Sequence, residues 1–267
     1  MSHRPRYLLC TPDHFRVDYA INPWMNGVVD EQIAFQEWLA LEDAILQTGA
    51  DVAVIDSHPD LPDMVFAANA GCIKSRVIVI SNFKHVERRP EADEYARWFS
   101  ANGFVVHRLP RNIRFEGCGD CEFIDNVLVG GYGFRSDMIA LEMVAGLLGA
   151  VDVVPMRLVD PRFYHFDTCF LYLGGPDRLA IYYPGAFDPL DIPVLEEQCT
   201  LIPITEEDAV QFVCNSIVIG STVIMPKNDA EVTKKIIATG FSVMQVAAGE
   251  FMKAGGSLRC LSLDLTK

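Results

Sequence analysis

Cys260, His165 and the carboxylates Asp63, Glu116, Asp120 and Asp167 are the residues of this 267-residue chain whose settings suit covalent chemistry. Cys260 follows Gly255-Gly256, a pair that lets backbone or ligand come close, and a cysteine with a lowered pKa in such a place is a nucleophile. Of the six histidines, only His165 has a promising neighbourhood, Phe163-Tyr164-His165-Phe166-Asp167-Thr168; His3, His14, His58, His85 and His107 read as surface or loop residues. At spacing two on an extended segment, His165 and Asp167 turn to one side together. In Phe115-Glu116-Gly117-Cys118-Gly119-Asp120, one acid is placed to orient an imidazole and the other to grip a cation. Each signal has a plainer reading as a loop-holding His–Asp pair or an ordinary acidic turn, so it is their conjunction with Cys260 that carries weight.

Further candidates surround these. Asp63 and Asn69 stand in the otherwise apolar Leu61-Pro62-Asp63-Met64-Val65-Phe66-Ala67-Ala68-Asn69, where polar groups without partners are costly. Arg88 and Arg135 suit bidentate recognition of a carboxylate, although surface pairing is the commoner fate of an arginine. Cys118-Gly119-Asp120-Cys121 is a C-x-x-C, but no second Cys/His pair at zinc-site spacing and no thioredoxin-like context accompany it. Cysteines other than Cys260 are expected to be inert and buried, as at Cys72, Cys199 and Cys214.

What must position these residues is a repeat. Asn69, Asp120, Asp167, Asn215 and Cys260 each lead into a short apolar strand pair, at separations of 51, 47, 48 and 45 residues. Such a period implies copies of a unit that hides its apolar face only against its neighbours, and a closed ring of copies gathers the five polar positions at its axis. Apolar runs at Arg6–Cys10, Asp51–Ile55, Arg76–Ser81, Phe104–Leu109, Asn126–Gly130, Val151–Leu158, Ala180–Tyr183, Leu201–Ile204, Ser216–Ile224 and Phe241–Val246 predict strands. Helical spacing covers Glu31–Thr48, Glu91–Ala101, Ser136–Leu148, Thr205–Val213 and Asp229–Ala238, with Ser136 and Thr205 as N-caps and Gly103 and Gly240 as stops. No Gly-rich phosphate loop follows the first strand, and Gly174-Gly175-Pro176-Asp177 makes a hairpin turn, so mixed sheets in a ring fit better than a doubly wound parallel sheet.

With half of its residues hydrophobic and no linker or low-complexity tract, the chain is expected to be one domain over residues 1–267, without a C-terminal extension. A formal charge of −14 disfavours nucleic acid and anionic membrane and favours a small cation. No export signal or membrane span is legible, and eight mostly unclustered cysteines suit a reducing compartment, so the expected location is the cytosol.

Taken together, Asn22-Pro23-Trp24-Met25, Leu61-Pro62-Asp63 with Asn69, Glu87-Arg88-Arg89, Phe115-Glu116-Gly117 with Asp120, Tyr164-His165-Phe166-Asp167-Thr168 and Gly255-Gly256 with Cys260 resemble the guanidine-modifying superfamily. Arginine deiminases, dimethylarginine dimethylaminohydrolases and amidinotransferases belong to it. The resemblance implies an α/β fold, the five-bladed α/β propeller of ββαβ units known as the pentein fold, and chemistry with neither metal nor cofactor. It implies Cys260 as nucleophile, His165 as acid and base, and Glu116 as the residue that holds His165. It further implies Asp63, Asp167 and Asp120 on the guanidino nitrogens, Arg88 and Arg135 on an α-carboxylate, and Asn22 near the amino-acid end. Asn69 departs from the aspartate usual in deiminases and dimethylaminohydrolases; an amide both donates to and accepts from a neutral ureido group, which suits a second hydrolytic round. The pattern is most similar to arginine dihydrolases, which take arginine to ornithine, ammonia and carbon dioxide. The alternatives are a one-step hydrolase of arginine or dimethylarginine, an amidinotransferase and a non-catalytic ligand-binding propeller. Relatives assemble and exposed propeller edges allow it, so a homo-oligomer is an expectation.

Overall fold

Short runs of four to six residues dominated by apolar and β-branched side chains cannot form stable buried helices, and here they become the middle strands of small sheets. The computed structural model describes residues 4–228 and 231–267. His3 and the expected helix start at Asp229 lie outside the described residues. The chain opens with β1 (Arg6–Cys10), α1 (Glu31–Gln47) and β2 (Asp51–Ile55). Next come β3 (Gly71–Lys74), β4 (Val77–Ile80), α2 (Glu91–Ala101) and β5 (Val105–Arg108), then β6 (Cys121–Ile124), β7 (Val127–Tyr132), α3 (Met138–Leu148) and β8 (Asp152–Arg157). The fourth unit is β9 (Phe170–Gly174), β10 (Leu179–Tyr182), α4 (Ile192–Glu196) and β11 (Thr200–Pro203). After α5 (Glu206–Val210), the fifth is β12 (Ile217–Ile219), β13 (Thr222–Pro226), α6 (Glu231–Ala238) and β14 (Ser242–Val246), followed by α7 (Gly249–Met252) and β15 (Ser262–Asp264).

Among the described residues these strands make five three-stranded sheets, each a tight antiparallel pair with a third strand added parallel to the middle one. The parallel step needs a crossover, which the helix of each unit supplies. β15 pairs antiparallel with β1, so the last strand completes the first sheet and the fold is a five-bladed α/β propeller. Burial follows position in the blade: β4 and β7 are almost wholly buried, while β5 and β11 on the outer side are half open to solvent. α2 shows how a helix seats on its blade, setting Ala92, Tyr95, Ala96 and Phe99 against Ile78 and Ile80. Full burial of a side chain such as Phe99 contributes about 2–3 kcal/mol.

The strand pairs expected after the polar positions form, although the first members β3, β6, β9 and β15 have no bounds of their own among the expected apolar runs. They run three to five residues and begin at Gly71, Cys121, Phe170 and Ser262, just after polar turns that mask them. The Thr205 capping box with Asp208 is present, but α5 stops at Val210, short of the expected Val213, and Phe212 takes a left-handed φ of 58°. Ser136 is not the N-cap of α3; Asp137 occupies that place, and Ser136 is drawn into the interior.

Four of the five periodic positions are tied to a neighbouring blade, as expected of a ring, while Asp120 pairs with Ser136. Asn69 Nδ2 donates to the Glu116 carbonyl at 3.0 Å, and Asn215 Nδ2 to the Asp167 carbonyl at 3.2 Å. Asn215 Oδ1 accepts from the Ser257 and Cys260 amides at 2.9 and 3.1 Å, and the Ala68 amide donates to the Cys260 carbonyl at 3.0 Å. Side-chain amides thus stitch one blade to the next where regular pairing stops.

Candidate active site

Cys260 is 2 % exposed, its Sγ 3.0 Å from Asn215 Nδ2 and 3.4 Å from Asp167 Oδ2. Burial, reinforced by the charge of Asp167, pushes the thiol well above its ordinary pKa. Asp167 is itself raised to about 7 by burial, against the pull of Arg259 and the hydrogen bonds of Cys260 and Asn215. In the resting site the sulfur therefore keeps its proton, and a cation that displaces the balance favours the thiolate.

His165 carries its Nε2 2.9 Å from Glu116 Oε2. Burial disfavours the ionised form of Glu116, but the Arg135 charge and the hydrogen bond to His165 outweigh it and hold the carboxyl well below its usual range. An ionised Glu116 accepts, so Nε2 bears the hydrogen and Nδ1 presents its lone pair. Burial lowers His165 to about 4, with Glu116 opposing, which leaves the imidazole a neutral base near pH 7. Arg135 closes the far side, donating Nη1 to Glu116 Oε2 at 2.8 Å and Nη2 to the Ile21 carbonyl at 2.9 Å while lying over the Tyr164 ring.

The local chain sets these atoms. The turn before β6 brings Gly119 against Asn69 and His165, and a Cβ there collides with Asn69 Nδ2 and sits 3.3 Å from His165 Nδ1. Gly119→Ala is therefore expected to lower kcat by about 10- to 100-fold with little change in fold, because an ångström of misplacement at the reacting groups is enough. Steady-state rates alongside a thermal melt check it. Gly255 has a φ of +86°, and its carbonyl accepts from Tyr164 Oη at 2.8 Å, which turns the chain inward before Cys260.

Cys260, His165, Asn22, Asp63, Asn69, Arg88 and Arg135 line one narrow cavity, with about 10 Å³ of free volume. Asp63, Asp120 and Asp167 each keep one carboxylate oxygen, Oδ1, without a hydrogen-bond partner among the described residues. Buried acceptors of this kind call for a donor, and a guanidinium offers several. Asp63 Oδ2 accepts from Tyr19 Oη at 3.0 Å.

Four placements correct the sequence expectations. Neither Asp120 nor Asp167 lines this cavity: Asp167 stands behind Cys260, whereas Asp120 accepts from Ser136 Oγ at 2.6 Å, which in turn accepts from the Glu116 amide, so it braces Glu116 from behind. Arg88 already directs its fork to Glu91, with Nε and Nη2 each at 2.8 Å, and Nη1 donates to Asn69 Oδ1 at 3.0 Å. One Nη1 hydrogen of Arg88 remains for a ligand, so a bidentate clamp from this residue alone is not available. Asn22 lines the cavity as expected, but both its Nδ2 hydrogens are engaged, with the Ala254 carbonyl at 3.0 Å and Tyr164 Oη at 3.3 Å, so neither is left to meet a ligand.

The sequence reading left out Tyr19, Tyr164, Ser136 and Asn215 as site residues. Asn215 had a signal, since it belongs to the period, and Tyr164 adjoins His165. Tyr19 had none, because only the folded N-terminal loop brings it 44 residues along the chain to Asp63.

A family model described as "N,N dimethylarginine dimethylhydrolase, eukaryotic" matches residues 5–267. The chain belongs to this family. This member of the dimethylarginine dimethylhydrolase family is 40 % identical over 276 residues to the bifunctional arginine dihydrolase/ornithine cyclodeaminase AgrE of Nostoc sp., a match covering 100 % of this chain and 38 % of that protein. The chain thus spans well under half the length of that relative. It is 36 % identical over 266 residues to the N(G),N(G)-dimethylarginine dimethylaminohydrolase of Mycobacterium tuberculosis, covering 97 % of this chain and 85 % of that one. Its structure superposes on the substrate-bound N-terminal domain of ArgZ, a cyanobacterial arginine dihydrolase, with a TM-score of 0.95 at 39 % identity, covering 98 % of each chain. A dimethylarginine dimethylaminohydrolase adduct, at 20 % identity and a TM-score of 0.80, shares the fold.

Proposed function

We propose that this chain hydrolyses the guanidino group of arginine through a cysteine-linked intermediate, as an arginine dihydrolase. The observation that carries the reading is the convergence of a thiol, a neutral imidazole and two carboxylate oxygens without partners, those of Asp63 and Asp167, around one buried site. The acids take the guanidino nitrogens, and the remaining N–H groups of Arg88 and Arg135 take the α-carboxylate. Approach of the cation lowers the thiol pKa, and the Cys260 proton passes to His165 Nδ1. The thiolate forms a bond to the guanidino carbon, and His165 returns the proton to the departing ammonia. His165 then draws a proton from water, the resulting hydroxide bonds to the same carbon, and the C–S bond breaks to return the Cys260 thiolate, which takes up a proton again, leaving a ureido product.

Asn69 supports a second round. It lines the cavity, accepts from Arg88 and gives one Nδ2 hydrogen to the Glu116 carbonyl, so its other hydrogen remains for a ureido oxygen. Repetition releases a second ammonia and leaves a carbamate that falls to ornithine and carbon dioxide. The family model and the mycobacterial relative favour one other reading, one-step release of an amine from a methylated arginine. Mass spectrometry of products from arginine, citrulline and dimethylarginine, each offered separately, decides: citrulline accumulating from arginine without ornithine overturns the two-step reaction.

The resting thiol also predicts a charge preference in inactivation. A cationic haloacetamidine is expected to alkylate Cys260 at least tenfold faster at pH 7 than a neutral haloacetamide, the gap narrowing as pH rises through the thiol range, because only the cation stabilises the thiolate beside Asp167. Rates of inactivation against pH measure this, and equal rates contradict it.

A further inference from the structure

The C-x-x-C of the third blade takes no part in the chemistry above, and the fold adds a third thiol to it. Cys72, from β3, joins Cys118 and Cys121, and the three pack in one cluster beneath α3. Cys72 and Cys121 are buried at 1 % and 0 % exposure, whereas Cys118 is half-buried. The expectation that all cysteines but Cys260 are inert core residues therefore fails at Cys118. This residue lines a second cavity with Glu122, Arg259 and Lys267, and no residue lines both this cavity and the one that holds Cys260. The two lie on opposite sides of a thin wall, since Ala68 and Arg259 face one and their neighbours Asn69 and Cys260 face the other. Arg259 and Lys267 flank Glu122 at 3.2 and 2.8 Å and give the cavity a cationic side.

We infer that Cys72, Cys118 and Cys121 form a peroxide-reactive thiol site in which Cys118 attacks and one of its two neighbours closes a disulfide. Of the three, only Cys118 is open to a small oxidant, and two further thiols pack in the same cluster to resolve the product. The neighbouring Cys121 and Cys72 thiols lower its pKa below the ordinary thiol range against the effect of burial, with Lys267 and Arg259 adding to them. The Cys118 thiolate bonds to one oxygen of hydrogen peroxide, the O–O bond breaks, and the departing hydroxide takes up the proton that Cys118 released, leaving as water. The neighbouring thiol then attacks the sulfenic sulfur, the S–O bond breaks, and its proton leaves with that oxygen as a second water. Two thiols lose two electrons and one peroxide becomes two waters.

The site is independent of the reaction at Cys260, so the test uses the full chain carrying Cys260→Ser, which removes the other candidate for oxidation. After limited treatment with hydrogen peroxide and blocking of remaining thiols, digestion and mass spectrometry are expected to show one internal disulfide between Cys118 and either Cys72 or Cys121, with Cys10, Cys169, Cys199 and Cys214 still reduced. In the untreated folded protein, Cys118 is expected to react with iodoacetamide at pH 7 at least tenfold faster than Cys72 or Cys121. Adding Cys118→Ser, or Cys118→Ala if the first is poorly folded by thermal melt, is expected to abolish the disulfide. A trio that stays reduced, a Cys118 oxidised onward to the sulfonic acid without a disulfide, or labelling of Cys118 no faster than that of its neighbours overturns the inference.

Discussion

Cys260→Ala is expected to abolish turnover of arginine, by roughly 10⁴-fold or more, as loss of a covalent nucleophile does. Binding of arginine is expected to survive, because its contacts belong to Asp63, Asp167, Arg88 and Arg135 rather than to the sulfur. The substitution also removes the group at 3.4 Å from Asp167 Oδ2, leaving this carboxylate free to meet the cation. Calorimetric titration with arginine and a product assay on the same preparation measure both halves. Turnover within tenfold of the parent eliminates a covalent route through this thiol.

Glu116→Gln is expected to reduce kcat by about 10³- to 10⁴-fold and to cost stability as well. The carboxylate holds His165 Nε2–H and faces Arg135, and an amide of the same size satisfies neither charge. Burial already lowers His165 to about 4, with Glu116 as the main opposing influence. Without that anion the imidazole holds a proton still less readily, so it is a poorer acceptor for the Cys260 proton and a rarer donor to the leaving amine. Arg135 is left buried without its partner, at a cost of about 3–5 kcal/mol. Thermal melts and kcat together test this, and a variant with ordinary kcat removes Glu116 from the mechanism.

The same two groups give the parent protein an acid limit. His165 is depressed from 6.5 to about 4, so the unfolded chain takes up a proton that the native one refuses as pH falls through that window. Glu116 is held well below the usual 4.5, and its stabilisation, present above that value, is lost as pH falls further. Both signs are alike, so these two groups withdraw stability from pH 6.5 downward, while Asp167 and Glu91, each raised to about 7 by burial, act in the opposite direction.

The polar period, the middle strands and the three long helices were legible because they depend on local patterns: short apolar runs, helical spacing, and turns before them. α2 spans the expected Glu91–Ala101, and β1 and β2 also keep their expected bounds. The inner strands were legible as members of the expected pairs but not in their bounds, except β12 within Ser216–Ile224, since three to five residues leave little periodicity to read. Cys260, His165 and Glu116 were distinctive in type and setting, and the fold brings all three to one place. Partners are another matter. Nothing along the chain links Arg88 to Glu91 and Asn69 at once, seats Ser136 between Glu116 and Asp120, or carries Tyr19 to Asp63.

What the residue order determined by itself was a ring of repeated ββαβ units and the kinds of group at its axis, because apolar patterning and polar interruptions act over a few residues. Only the tertiary structure decided which carboxylate faces the cavity and which braces it, which arginine is already engaged, and that Cys72 completes a cluster with Cys118 and Cys121. Those outcomes depend on distances between side chains far apart in sequence and on how much water the packed blades exclude, and neither quantity exists until the ring has closed.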